Sequence, residues 1–256
     1  MKTITIKNII DFKTNKQKFA TITAYDFNSA LIIDSCDIPL ILVGDSASMM
    51  VYGYTTTIPV SMDEMMMVVK SVVRGTKKAL VVADMPFLSY QTSITDAILN
   101  AGELIKKGGA GAVKLEGGQH MQKHIHELVQ IGIPVMGHVG LTPQSFHQLS
   151  GYSVQGKTTQ DAQKIIDDAV AVEEAGAFSI VLECIPDSLA EQITNKLAIP
   201  TIGIGSGKTC DGQIQVFHDV LGLSASKPPK HAMQYKHLNE EIKDALQKYK
   251  AAVKKF

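Results

Sequence analysis

The sequence predicts an α/β protein folded as a (β/α)8 barrel. Eight short, mostly apolar segments alternate along the chain with helical stretches, and such segments pair in parallel beneath a layer of helices. An X-Ile-Pro pattern recurs at Asp37, Gly132 and Ala198, each time between a helical stretch and an apolar one, because proline halts a helix and suits the first residue of a strand. The length of 256 residues suits one such barrel. A doubly wound open sheet is the alternative, but the GxGxxG fingerprint of dinucleotide-binding sheets is missing after the first strand. Residues 1–256 are therefore read as a single barrel domain, with an N-terminal helical segment at about 6–13 and a C-terminal helix at about 238–255.

Taken in order, Ile6–Lys13 reads as a short helix and Phe19–Ala24 as strand one, ending in Tyr25-Asp26. Asn28 is the expected N-cap of a helix through Ser35. Leu40–Val43 is strand two, followed by Gly44-Asp45-Ser46, a loop rich in Met, Tyr and Thr, and a helix at Met62–Arg74. Ala79–Ala83 is strand three and delivers Asp84; Thr95–Lys107 is an amphipathic helix stopped by Gly108-Gly109. Ala112–Leu115 is strand four, with a helix at Met121–Ile131, and Val135–Gly137 is strand five, delivering His138. A periodic helix at Gln160–Ala175 precedes strand six, Phe178–Leu182, which ends at Glu183. Leu189–Leu197 is a helix, Thr201–Ile204 is strand seven, Ile214–Phe217 is strand eight, and Leu238–Lys255 is a terminal amphipathic helix.

Composition narrows the function. Lys plus Arg equals Asp plus Glu at 25 each, so no nucleic-acid or polyanion partner is indicated. Cys36, Cys184 and Cys210 stand far apart, which fits a reducing compartment and neither a disulfide framework nor a zinc knuckle. The first residues lack the apolar core of a signal peptide, and no apolar run reaches membrane-spanning length. A cytoplasmic protein is the expectation.

In a (β/α)8 barrel the active site lies at the C-terminal ends of the strands. Tyr25 and Asp26, Asp45 and Ser46, Asp84, Lys114 and Glu116, His138, Glu183 and the Gly205-Ser206-Gly207 turn all fall there. Val113 and Leu115 alternate with Lys114 and Glu116, so strand four points a cation and an anion to the same side. A single strand-end carboxylate often only caps the next helix, but carboxylates converging from several strands repel and need a cation. Oxygen donors without Cys point to Mg²⁺ rather than zinc. Lys114 is read as a charged donor to an anionic substrate, since neighbouring acids oppose the free amine a Schiff base requires. His138 remains open between proton shuttle, substrate donor and core histidine. Gly205-Ser206-Gly207 suits a phosphate cradle or a tight turn equally well.

Several segments in unbroken order resemble one family. They are Val43-Gly-Asp-Ser46, Asp84-Met-Pro-Phe87, Ala112-Val-Lys-Leu-Glu-Gly-Gly118, Pro134-Val-Met-Gly-His138 with Gly140-Leu-Thr-Pro-Gln144, and Thr201-Ile-Gly-Ile-Gly-Ser-Gly207 with Cys210-Asp-Gly-Gln213. Together, from about Phe19 to about Leu223, they resemble the ketopantoate hydroxymethyltransferases. The resemblance implies a barrel of the phosphoenolpyruvate/pyruvate superfamily type and a homodecamer. It implies transfer of a hydroxymethyl group from methylene-tetrahydrofolate to 3-methyl-2-oxobutanoate, giving 2-dehydropantoate through a Mg-stabilised enolate, in pantothenate biosynthesis. Carried over by position, Asp45, Asp84 and Glu116 resemble the site of one Mg²⁺ per subunit. Asp45, Ser46, Asp84 and Lys114 resemble the oxo-acid contacts, and Glu183 resembles the proton acceptor. His138 is expected to donate to a substrate or intermediate oxygen. The chain departs from the usual family pattern at Ala47-Ser48, at Thr55 and within Pro229–Tyr235, none of them a proposed catalytic position.

Overall fold

Eight strands close into a barrel in sequence order in the computed structural model of the chain, which describes residues 3–149, 151–224 and 228–256. The strands are β1 (Phe19–Thr23), β2 (Leu40–Val43), β3 (Leu80–Asp84), β4 (Ala112–Lys114), β5 (Val135–Gly140), β6 (Ser179–Glu183), β7 (Thr201–Ile204) and β8 (Gly212–Gln215). Successive strands from β1 to β8 pair in parallel. The α-helices are α1 (Ile6–Thr14), α2 (Phe27–Ser35), α3 (Ala47–Met50), α4 (Met62–Gly75), α5 (Ile94–Lys106), α6 (Gln122–Gln130), α7 (Phe146–Leu149), α8 (Thr159–Glu174), α9 (Asp187–Lys196), α10 (Phe217–Leu221) and α11 (Leu238–Val253). The chain divides into two compact units, Met1–Ile214 and Gln215–Phe256.

In the first unit, the interior is built by alternation along each strand. Phe19, Leu40, Leu42, Leu80, Val82, Ala112, Met136, Phe178, Val181, Ile202 and Ile214 form one buried cluster with Ile9 of α1. Ile6, Ile10 and Phe12 of α1 pack on the same cluster, and the Phe12 and Phe19 rings stack with centroids 4.9 Å apart. Because Phe19, Leu40 and Leu80 begin their strands, α1 covers the N-terminal mouth of the barrel and leaves the C-terminal mouth to the polar residues.

Local chemistry explains where the elements start. Ser61 and Glu64 form a capping box at α4, and Ser93 and Thr158 cap α5 and α8 through Asp96 N–H and Asp161 N–H. Asp26, not Asn28, caps α2: its carboxylate accepts from the backbone N–H groups of Asn28 and Ser29. A carboxylate two residues earlier reaches both orphan amides, which the shorter span from Asn28 does not allow. The X-Ile-Pro junctions are real boundaries, with Asp37 and Gly132 in left-handed backbone at φ 56° and 90°. After the third, the Ala198 and Ile199 N–H groups donate to Glu173 at 2.6 and 2.9 Å.

Most element ends lie within one or two residues of the sequence reading, and three differences bear on the site or its strands. β5 runs through Gly140, so His138 lies within the strand rather than after it. β8 occupies Gly212–Gln215, two residues before the expected Ile214–Phe217, because Val216 already starts α10. The loop after β2 contains the short helix α3, and within it Ser48, buried, donates its hydroxyl to Thr56 O at 2.6 Å.

The second unit holds α10 and α11. Gly222 ends α10 in left-handed backbone at φ 60°, and Tyr235 N–H returns to Val220 O at 2.8 Å. The expected terminal helix is present, ending at Val253 rather than Lys255.

Candidate active site

Strand register brings the polar residues together. Asp84 lies beside Lys114 across β3 and β4, Lys114 beside Met136, His138 beside Val181, and Gly140 beside Glu183. Parallel partners point to the same side, so Asp84, Lys114, His138 and Glu183 all project toward the barrel axis from its C-terminal end. Glu116 follows β4 by two residues and keeps the orientation of Lys114. Gly117, at φ 124°, lets the chain leave β4 while its N–H donates to His138 O at 3.0 Å. Gly140, at φ 95°, ends β5 where a side chain would strike Glu183 O at 2.4 Å.

Lys114 Nζ donates to both oxygens of Asp84 at 2.7 Å and stands 3.9 Å from Glu116 Oε1. Asp45 N–H donates to Asp84 Oδ2 at 3.1 Å. His138 lies between two acids, its Nδ1 3.6 Å from Glu116 Oε1 and its Nε2 3.2 Å from Glu183 Oε2. Neither ring nitrogen of His138 makes a well-aligned hydrogen bond among the described residues, and neither does Glu116 Oε1. Asp45, Asp84, Lys114, Glu116 and His138 are each no more than 5% exposed, while the Glu183 side chain is 15% exposed. Ser46 Oγ shares a 2.7 Å hydrogen bond with Tyr25 OH.

The charges fix the protonation states. Burial pulls the Lys114 pKa down, but Asp84, Glu116 and Asp45 together outweigh it and hold the group above its ordinary value, as an ammonium. Burial, with the Lys114 charge, pushes His138 well below its ordinary value, so the ring is neutral. Burial and the Asp84 charge raise Asp45 to about 7, and burial raises Glu116 well above the carboxylate range. Three carboxylates against one ammonium leave a formal excess of two negative charges, which protons or a dication must make up. The oxygen donor set and the unpartnered Glu116 Oε1 fit a hard dication. Among the described residues, no three His, Cys, Asp or Glu side chains are gathered closely enough to form a finished metal cage.

Two features escape a reading of strand ends alone. Gln144, in the turn after β5, is buried and bonds Asp45, Met85 O, Tyr90 and Gln91. Tyr90, fully buried, accepts from Glu116 N–H at 3.0 Å. The nearest signal for Gln144 was its place in a Gly-Leu-Thr-Pro-Gln run at a strand end. The Gly205-Ser206-Gly207 segment resolves as a tight turn: Ser206 Oγ donates to Leu182 O at 2.7 Å, and Asp187 fills the space beside Gly207. Burial and the Glu183 charge push the Cys184 thiol up to about 12, which opposes formation of the thiolate.

A profile of the ketopantoate hydroxymethyltransferase family matches residues 3–256. The chain is 54% identical over 254 residues to the 3-methyl-2-oxobutanoate hydroxymethyltransferase of Carboxydothermus hydrogenoformans, covering 99% of this chain and 92% of that one. It is 53% identical to the enzyme of the same name from Geobacter metallireducens, covering 97% and 94%. Among solved structures, the fold is similar to phosphonopyruvate hydrolase bound to oxalate and Mg²⁺, at TM-score 0.64 and 12% identity, covering 98% of this chain and 87% of that one. It is also similar to the phosphoenolpyruvate phosphomutase of Streptomyces platensis, at TM-score 0.65 and 11% identity, covering 98% and 88%. These two likenesses show the barrel fold alone. With a family match running from residue 3 to residue 256 and relatives half identical along nearly their whole length, the chain belongs to the ketopantoate hydroxymethyltransferase family.

Proposed function

We propose that this chain transfers a hydroxymethyl group from methylene-tetrahydrofolate to 3-methyl-2-oxobutanoate, forming 2-dehydropantoate in pantothenate biosynthesis. The observation that carries the reading is the unbroken line of buried contacts from Asp45 through Asp84, Lys114 and Glu116 to His138 and Glu183 at one barrel mouth.

Asp45, Asp84 and Glu116 are the groups to hold one Mg²⁺ per subunit, whose chemistry there is to polarise the oxo group of the substrate and make C3 acidic. Asp45, Ser46 and Asp84 surround the oxo acid, and Lys114, held as an ammonium, binds its anionic end. That protonation state opposes a Schiff-base role. Glu183, less buried than the other acids, takes the proton from C3. His138 stays neutral and donates to a substrate oxygen through one nitrogen; with Nε2 3.2 Å from Glu183 it also limits how that carboxylate turns. C3 then bonds to the methylene carbon of the folate, both C–N bonds of that carbon break, water supplies the hydroxyl oxygen, and the folate leaves as tetrahydrofolate with its nitrogens protonated.

Glu183→Gln removes the base and leaves Asp45, Asp84 and Glu116 untouched. The variant should lose exchange of the C3 proton of 3-methyl-2-oxobutanoate into D₂O by at least about 100-fold, the scale of general-base catalysis. Exchange at the wild-type rate would take Glu183 out of the base role. A homodecamer and a cytoplasmic location go with the family resemblance. A mass measurement in solution tests the first. No described helix is long and apolar enough to cross a membrane.

A further inference from the structure

Gln144 has no role in the scheme above, yet its side chain bonds Asp45 and its backbone N–H bonds Glu116. It stands in the turn of 3₁₀ helix at Pro143–Ser145 and is 4% exposed. An amide side chain carries two N–H donors and an oxygen with two lone pairs. All four are engaged here. Nε2 donates to Asp45 Oδ2 at 3.0 Å and to Met85 O at 2.9 Å. Oε1 accepts from Tyr90 OH at 2.8 Å and from Gln91 Nε2 at 3.0 Å. The backbone N–H of the same residue donates to Glu116 Oε2 at 3.0 Å.

The orientation of the amide is forced. Turning it over would set its oxygen against the Asp45 carboxylate and Met85 O and its NH₂ against that of Gln91, three repulsive contacts in place of three hydrogen bonds. Gln91 and Tyr90 thus aim the NH₂ at Asp45. Each of the two carboxylates then has one oxygen held and one left over. Asp45 keeps Oδ1, and Glu116 keeps Oε1, which is buried and without a hydrogen-bond partner among the described residues.

We infer that Gln144 is a positioning residue that holds one oxygen each of Asp45 and Glu116, so that each carboxylate presents a single oxygen to a cation. The inference rests on the reading of Asp45 and Glu116 as Mg²⁺ ligands. It extends that reading to the device that orients them, the kind of outer partner that typically shifts metal affinity by about 10- to 100-fold. The backbone bond to Glu116 survives any side-chain change, so substitution tests the Asp45 arm alone.

The test is binding of Mn²⁺, a paramagnetic stand-in for Mg²⁺, to the purified full-length protein by electron paramagnetic resonance, without substrate or turnover. Wild type, Gln144→Met, Tyr90→Phe and Asp45→Asn are compared. Gln144→Met keeps the chain length and volume but donates nothing. The expected result is a Mn²⁺ Kd about 10-fold or more higher in Gln144→Met, and a smaller rise in Tyr90→Phe, which removes one of the two hydrogen bonds that hold Oε1. Steady-state assays should show the loss recovered in part by excess Mg²⁺, which a misfolded protein would not allow. If Gln144→Met fails to fold by circular dichroism, Gln91→Met decides in its place, since Gln91 holds Gln144 Oε1: a raised Mn²⁺ Kd supports the role and a wild-type Kd overturns it. Wild-type Mn²⁺ affinity in the folded Gln144→Met protein, with affinity lost in Asp45→Asn, overturns the role of Gln144 and spares the metal reading. Wild-type affinity in Asp45→Asn overturns the metal reading, and the Gln144 role falls with it.

Discussion

Lys114 shows how a single side chain can be both costly and necessary. Its ammonium grips both oxygens of Asp84 at 2.7 Å inside the barrel, where neither ion has water to fall back on. Removing one partner of such a pair leaves a buried charge uncompensated, at a cost of about 3–5 kcal/mol. Lys114→Met should therefore lower the unfolding free energy by about that amount, read from urea denaturation, and abolish turnover. Wild-type stability would mean that the pair is not formed in solution. The inward charges of β4 were legible in the sequence, because Lys114 and Glu116 alternate with Val113 and Leu115. Gln144 was not. It follows a proline in a turn, where no periodicity says which way a side chain points, and its neutral amide carries no charge to mark it. Nor could the sequence decide His138. Its neutrality comes from burial and from Lys114, which only the closed barrel brings near it.

Elements were read most reliably where their chemistry is local. The proline-marked junctions need only neighbouring residues, and they stand where the pattern put them. Boundaries set by long-range contacts were missed, as with β5, whose last residues are held to β6 at Val139–Leu182 and Gly140–Glu183. Asp34 of α2 is another such long-range device. Its buried carboxylate accepts from the N–H groups of Lys77, Lys78 and Ala79 at 3.1, 2.9 and 2.8 Å and so fixes the entry to β3. Burial works to raise its pKa, but those three hydrogen bonds and the Lys78 charge more than offset it and hold Asp34 below 3.8. Between the folded pKa and 3.8 the unfolded chain binds more protons, so the stabilisation is fully present above 3.8 and is lost as pH falls through the folded value. Asp34→Ala should cost about 1–3 kcal/mol near neutral pH, the buried Ala79 amide being left unpaired, and less in acid. Urea denaturation at several pH values reads both. A cost that does not shrink toward low pH would show that the carboxylate's charge contributes nothing.

At the scale of the whole molecule, the barrel explains why residues from Asp45 to Glu183 meet at all. Closure in sequence order sets β2, β3, β4, β5 and β6 side by side, and each contributes one or two polar groups at its C-terminal end. The apolar cluster and α1 occupy the opposite mouth, so the polar set is confined to one end. That division was legible from the alternation of short apolar segments and helices. The turn at Gly205–Gly207 was not, since glycine serves a phosphate cradle and a tight turn alike until Asp187 is seen beside it. The most direct test of the account is formation of 2-dehydropantoate by the purified protein from 3-methyl-2-oxobutanoate and ¹³C-labelled methylene-tetrahydrofolate, followed by NMR. The account predicts label in the new hydroxymethyl group, no product without the folate, loss of product with EDTA and its return with Mg²⁺. Unlabelled product, or product that forms at the same rate in EDTA, would contradict it.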